Sequence, residues 1–257
     1  MLIPRIIPVL LVSKKGLVKT VQFKESKYVG DPINAVRIFN EQEADELAVL
    51  DIDATVEGRE PDYRMIENLA SECRMPLCYG GGIKTIAQAI KILGLGVEKV
   101  AFGSAAVDSP ELMKGLSGQV GRQSVVVVID AKKKFWGGGY DCYTHNGRKN
   151  RGISPFDLAK VAEDHGAGEV VVNSIDKDGM MTGYDLELIH NVRSQVNIPV
   201  TALGGAGSLD DLGRLISREQ IIGAAAGSLF VFKGKYRAVL INYPSREDKR
   251  RLVAGIA

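Results

Sequence analysis

The second half of this 257-residue chain repeats the first, loops included. The segment ADELAVLDIDATVEGREPDY returns as AGEVVVNSIDKDGMMTGYD, MPLCYGGGIKTIAQAIKIL as IPVTALGGAGSLDDLGRLI, and VEKVAFGSAAV as IIGAAAGSLFV. A repeat of that period constrains architecture more strongly than any single motif. Eight apolar, β-branched runs alternate with stretches of helical periodicity: 6–12, 46–52, 76–79, 99–102, 124–129, 169–172, 199–203 and 221–225. Continuous rather than alternating hydrophobicity marks strands covered on both faces, as in a parallel sheet wrapped by helices. An open doubly wound sheet has no reason to repeat its loop chemistry at equivalent strands, whereas two fused half-barrels do. The expectation is one (β/α)8 TIM barrel over residues 1–257, with half one at about 1–120 and half two at about 121–257, and a site at the C-terminal ends of the strands.

Composition narrows the function classes. With 45% hydrophobic and 25% charged residues the chain can bury a large core as a single domain. A net charge of +2, from 33 basic and 31 acidic side chains, lacks the overall basic excess expected of a nucleic-acid binder. Cys73, Cys78 and Cys142 share no CxxC spacing and there are three histidines, so no disulfide framework, metal site or cofactor is expected. The apolar opening 2–12 is interrupted by Arg5 and Pro8, and no run approaches the roughly 20 apolar residues of a membrane span, which points to a cytoplasmic protein.

The repeated loops are rich in glycine. Half one carries Gly80, Gly81, Gly82 and then Gly103, Ser104; half two carries Gly204, Gly205 and then Gly227, Ser228. Glycine admits close backbone approach, and amides at a following helix start point towards an anion, so each pair of adjacent loops suits a phosphate. Two such pairs suggest a phosphorylated small molecule with an anionic group at each end; the plainer reading is tight βα corners. Gly80 to Gly82 lacks the later glycine and acidic ribose partner of a dinucleotide fingerprint.

These residues resemble a known family. RIIPVLLV, VVVVIDAK, SIDKDG followed by GYD, GGGI and GGAG are similar to HisF, the cyclase subunit of imidazole glycerol phosphate synthase, over nearly the whole chain. The resemblance implies a barrel that receives ammonia at its N-terminal face from a HisH-like glutaminase, as a heterodimer. It also implies use of that ammonia to close an imidazole ring on a bisphosphorylated ribulosyl substrate. The family's acid/base pair sits at the ends of strands one and five. Asp130 matches the strand-five member, but the strand-one position holds Leu11, and superposing the two halves independently sets Leu11 against Asp130. Leucine transfers no proton.

Other positions carry over. Gly82, Gly103, Ser104, Asp178, Gly179, Gly205, Gly227 and Ser228 fall on the family's phosphate-binding loops, with a simple turn at Asp178 and Gly179 as the alternative, and Lys19, Asp51 and Asp176 on its substrate loops. Arg5, Glu46, Lys99 and Glu169 stand at strand starts, where the family keeps a charged ring gating ammonia. Charges there must pair or meet solvent whether or not ammonia passes.

Three readings follow. One is a paralogue that keeps the ammonia route but serves another acceptor; HisF-like chains with such a substitution and an ending like GSLFVFKGKYRAVLINYP resemble those that accompany a sugar amidotransferase making acetamidino sugars for surface polysaccharide (O-antigen). The second is a working cyclase in which Asp51 or Asp53 supplies the missing proton. The third is a non-catalytic activator of the glutaminase. The insertion beginning at Trp136 reads either as a mobile lid or as a hairpin turning at Asn146 and Gly147. Residues 246–251 pattern as a charged helix.

Overall fold

The computed structural model describes residues 3–254. Eight parallel strands form the barrel: β1 Arg5–Ser13, β2 Leu47–Asp51, β3 Leu77–Gly80, β4 Lys99–Phe102, β5 Val125–Lys133, β6 Glu169–Ser174, β7 Val200–Leu203 and β8 Gly223–Ala226. Each pairs with the next, β8 returns to β1, and every barrel pairing is parallel, so the eight barrel strands close without an edge. The strands are those expected from the apolar runs, to within a few residues at their ends.

Helices α1 Pro32–Glu41, α2 Tyr63–Glu72, α3 Ile86–Gly94, α4 Glu111–Val120, α5 Pro155–Asp164, α6 Leu186–Arg193 and α7 Leu209–Glu219 connect successive strands, and α8 Arg246–Val253 follows the last. Their starts are written locally. Thr85 and Gln88 make a capping box on α3, and Ser208 and Asp211 make the equivalent one on α7. Short helices Ser104–Asp108 and Ser228–Val231 begin directly after β4 and β8.

The main core lies between sheet and helices, with Phe39, Tyr79, Phe102 and Phe230 among its largest fully buried side chains. The inward-facing side chains form separate small clusters inside the barrel: Ile7, Val9, Leu203 and Ala225, and Cys78, Ala101 and Val126. Much of the lumen is thus lined by small or aliphatic groups.

Sequence patterning did not call for the hairpin that follows β1. Strand Gly16–Val21 folds back on β1 across a two-residue turn at Lys14 and Lys15, then pairs with Lys24–Gly30 across a second at Gln22 and Phe23. All four turn residues have positive φ (49°, 66°, 51° and 61°), the geometry a two-residue hairpin demands and glycine usually supplies. After β5 the chain does the same: Tyr140–Thr144 pairs with β5, Lys149–Asn150 pairs back, and the second turn falls at His145, Asn146 and Gly147, as the hairpin reading expected. The charged helix expected near the C-terminus is α8.

Candidate functional site at the two ends of the barrel

A pocket of about 170 Å³ opens at the C-terminal ends of the strands, with Leu11 and Asp130 both in its lining. Asp130 Oδ1 accepts a hydrogen bond from Asn173 Nδ2 at 2.9 Å, and the two residues are directly opposite in the β5–β6 register. Burial pushes the Asp130 carboxyl up to about 7; the Asn173 bond pulls it back and the nearby Asp178 charge adds to the rise. A carboxyl titrating near neutrality can give or take a proton at working pH. In the other half, β1 and β2 set Leu11 directly opposite Leu50 in the matching register. The repeat equates Leu11 with Asp130 and Leu50 with Asn173. One wall of the pocket is a hydrogen-bonded acid and amide, and its symmetry mate is a pair of leucines.

The surrounding loops keep the two-fold relation. Lys133 N donates to Asp176 Oδ2 at 2.9 Å, and in half one Lys14 N donates to Asp53 Oδ2 at 3.0 Å. Gly81 and Gly204, at φ 122° and 91°, turn beneath the carbonyls of Asp51 and Ser174, where any Cβ would collide. Gly82, Gly103 and Ser104 line one side of the pocket, and Gly205, Gly227 and Ser228 line the other. Lys19, buried, donates to the Val9 carbonyl beside Gly227, and its burial lowers the ammonium to about 8 despite Asp178 nearby. Asp178 lies at the pocket with Gly179, accepts from Thr20 Oγ1 at 2.9 Å, and has its carboxyl raised mainly by burial. Asp51 is held by the backbone N–H groups of Asp53 and Ala54, both at 3.0 Å, and by Arg59.

The hairpins cross over this pocket. Gln22 N donates to the Asp178 carbonyl at 2.9 Å, tying the half-one hairpin to half two. Asn146 Nδ2 donates to the Ile52 carbonyl at 2.7 Å and His145 N to Ser104 Oγ at 3.3 Å, tying the half-two hairpin to half one. Phe23 packs on Gly147 where the tips meet.

At the opposite end, Arg5, Glu46, Lys99 and Glu169 close into a ring. Lys99 Nζ lies 2.7 Å from Glu46 Oε1 and 2.9 Å from Glu169 Oε2; Arg5 pairs with Glu46 and, at 2.8 Å, with Glu169. Glu169 also accepts from Thr201 Oγ1 at 2.6 Å. Burial works against the charges, but the facing partners dominate: the Glu169 carboxyl is held below its ordinary value and the Arg5 and Lys99 cations above theirs. The repeat places Cys78 where half two has Thr201, and burial pushes its thiol up. Unpaired charges would not survive at this depth, so the four must act as one unit.

Leu11, Asp130, Lys19, Asp51, Asp178 and the glycine-rich corners therefore converge on one pocket, with Asp176 fixed on its rim and the four charged strand starts together at the far end. Sequence reasoning passed over Asn173, Thr201 and the first hairpin's tip at Gln22 and Phe23. The signal for Asn173 was present, since the repeat already set it against Leu50. Among the described residues no group of His, Cys, Asp or Glu side chains could hold a metal ion, and no helix is long and apolar enough to cross a membrane.

Comparison with known proteins places the chain in a family. The family model described as histidine biosynthesis protein matches residues 5–237. A Leptospira interrogans protein, provisionally named imidazole glycerol phosphate synthase subunit HisF, is 58% identical over 98% of this chain and 99% of its own length. A Vibrio vulnificus protein provisionally named as that synthase's subunit hisF3 is also 58% identical, over 98% and 96%. The Lactococcus lactis protein named imidazole glycerol phosphate synthase subunit HisF is 43% identical over 97% and 99%. With that family model spanning most of the chain and identities of 43–58% over nearly its full length, the chain belongs to the HisF family of histidine-biosynthesis proteins.

Proposed function

We propose that this chain is the HisF-type synthase subunit of a glutamine amidotransferase complex, paired with a HisH-like glutaminase, and that it conducts ammonia to an acceptor other than the ribulosyl substrate of the cyclase. The acceptor that best fits is a sugar amidotransferase forming acetamidino sugars for bacterial surface polysaccharide. The observation that carries this reading is the unequal treatment of the two barrel ends. The four-charge ring and apolar lumen are complete, whereas the acid/base wall is reduced to Asp130 alone opposite Leu11 and Leu50.

The ring and lumen suit neutral ammonia. Arg5 and Lys99 offset the pull of Glu46 and Glu169, so the ring offers ammonium no net attraction, and the aliphatic lumen makes its desolvation costly, while ammonia pays a far smaller penalty. With every charge paired, the ring spans the N-terminal mouth of the barrel, and in this reading the docked glutaminase draws a side chain aside for ammonia to enter. Above the lumen, Asp130 and Lys19, titrating near 7 and 8, orient or trade protons with whatever phosphorylated ligand the glycine corners hold.

The cyclase reading has the 43% identity to the Lactococcus protein in its favour. It needs a second proton-transfer group, and neither proposed substitute is free. Asp51 is engaged by two backbone amides and Arg59, and Asp53 by Ser13 Oγ at 2.8 Å and Lys14 N.

The test pairs two assays. Ammonium salt with the bisphosphorylated ribulosyl substrate should give turnover far below that of a cyclase with both carboxylates; near-normal turnover overturns the proposal. Ala225→Phe, which fills the lumen beside Ile7 and Val9, should abolish glutamine-dependent amidation by the reconstituted complex and spare amidation supplied with ammonium. Equal activity from both nitrogen sources in that variant overturns the channel.

A further inference from the structure

The rim around the pocket mouth gathers exposed aromatic groups and unpaired cations. After β5, Phe135 and Trp136 are 89% and 83% exposed, stacked edge-to-face at 5.3 Å, beyond Lys132 and Lys133. In the segment after β8, Tyr236 is 91% exposed among Lys233, Lys235 and Arg237. The outer strand of the first hairpin adds Tyr28, 66% exposed, with Lys24 and Lys27.

These segments adjoin one another along one arc. Lys133 N is bonded to Asp176, Gln22 Nε2 to the Asp176 carbonyl, Arg237 reaches the Met180 carbonyl at 3.5 Å, and Lys27 Nζ lies 5.2 Å over the Phe232 ring. None of Lys24, Lys27, Lys132, Lys133, Lys233, Lys235 and Arg237 is among the ion pairs formed by the described residues. Glu25 is the one carboxylate in the segments 24–28, 132–136 and 233–237. Segments 24–28, 132–136 and 233–237 hold eight basic residues against that one carboxylate, whereas the whole chain carries a net charge of only +2. Large aromatic side chains left in water beside unneutralised cations are what a macromolecular interface presents before it is covered: aromatic anchors for affinity, charge for steering and orientation.

We propose that this rim is the docking surface for the enzyme that receives the ammonia, a protein whose own mouth is ringed by acidic side chains with apolar recesses for Trp136 and Tyr236. This rests on the delivery reading above. Ammonia loses its value as a nucleophile once protonated in bulk water, so the pocket that releases it gains from being sealed mouth to mouth against the next active site. A lipid surface fits less well, because it would close a polar, glycine-lined pocket without offering an acceptor.

The test measures binding of the sugar amidotransferase to the barrel–glutaminase heterodimer, in low and moderate salt. Trp136→Ala with Tyr236→Ala, and separately Lys132→Glu with Lys133→Glu and Lys235→Glu, should each weaken binding tenfold or more, with the salt dependence lost chiefly in the charge-reversed variant. Glutaminase pairing and thermal stability should be unchanged, since these side chains are solvent-exposed. Parallel samples contain vesicles with 30% phosphatidylglycerol and a single-stranded RNA. Binding unaffected by both variants, binding absent altogether, or rim-dependent binding of vesicles or RNA in place of protein overturns the docking surface. Rim-dependent protein binding together with ammonia transfer that ignores the Ala225→Phe plug retains the surface and overturns the delivery reading instead.

Discussion

At the end of β5 a carboxyl and an amide meet across the strand register; at the equivalent place on β1 and β2 two leucines meet. Around these pairs the halves agree closely, down to the backbone bonds Lys133 to Asp176 and Lys14 to Asp53 and the capping boxes of α3 and α7. At this end of the barrel the sharpest divergence falls on the groups that would handle protons, while the strand register that positions them is kept. At the charged ring a milder asymmetry appears: Glu169 has three side-chain partners, Arg5, Lys99 and Thr201, and Glu46 has two. On the proposed reading, a fold keeps a conduit and a ligand pocket while holding only one half of an acid/base pair, because the first depend on shape and charge pairing and the second on a single carboxyl.

The largest effect is expected from copying half two into half one. Leu11→Asp with Leu50→Asn places an acid and its amide partner on the opposite wall, and should raise cyclisation of the ribulosyl substrate by about 10²- to 10⁴-fold, the usual worth of one positioned acid/base group. An unchanged rate would mean that the Lys14–Lys15 hairpin, rather than the missing carboxyl, blocks that chemistry.

Next comes the ring. Glu169→Ala leaves Arg5 and Lys99 sharing one carboxylate and Thr201 without its acceptor, and should cost about 3–5 kcal/mol in urea unfolding. Glu46→Ala, with one partner fewer, should cost less; equal losses would show that the ring is symmetric in energy despite its geometry.

Asp130 sets a pH dependence. Its carboxyl is raised from 3.8 to about 7 in the fold, so folding favours the protonated form. The stability this contributes is complete below the unfolded value near 4 and is lost as pH rises through about 7. Asp130→Asn should match the wild type near pH 4 and exceed it by on the order of 2–4 kcal/mol at pH 8. A pH-independent difference would place the titrating group elsewhere. Asn173→Leu removes the bond that pulls this carboxyl down, so the carboxyl should titrate above about 7, read by carbon-13 NMR.

The smallest expected effect is Thr201→Val, which deletes one bond to a charged acceptor and should cost about 1.5–3 kcal/mol by thermal unfolding. Cys78, its counterpart, makes no such bond, so Cys78→Val should be close to neutral by the same measurement.

Much of this was legible before any coordinates. Strands buried on both faces carry unbroken apolar runs, and tight βα corners need glycine, so eight strands and four corner loops could be placed by reading along the chain. Arg5, Glu46, Lys99 and Glu169 were visible as charges at the starts of apolar strands. The hairpin after β1 was not, because its turns use Lys14, Lys15, Gln22 and Phe23 in a conformation that sequence rules assign to glycine and asparagine, whereas the one after β5, with Asn146 and Gly147 at its turn, was one of the sequence readings. Asn173 escaped notice because an amide inside a VVVNS run reads as an interruption of the strand until Asp130 is found beside it.

The sequence by itself determined the barrel, its two-fold construction and the placing of Leu11 at the position that Asp130 holds in the other half, because these follow from periodicity and repetition along one dimension. Only the tertiary structure decided that Leu11 faces Leu50 while Asp130 faces Asn173, that Asp51 and Asp53 are already engaged, and that four charges far apart in the chain close into one ring. Those are outcomes of strand register and of which side chains share a desolvated space. Register becomes fixed only when the sheet closes and the core packs around it.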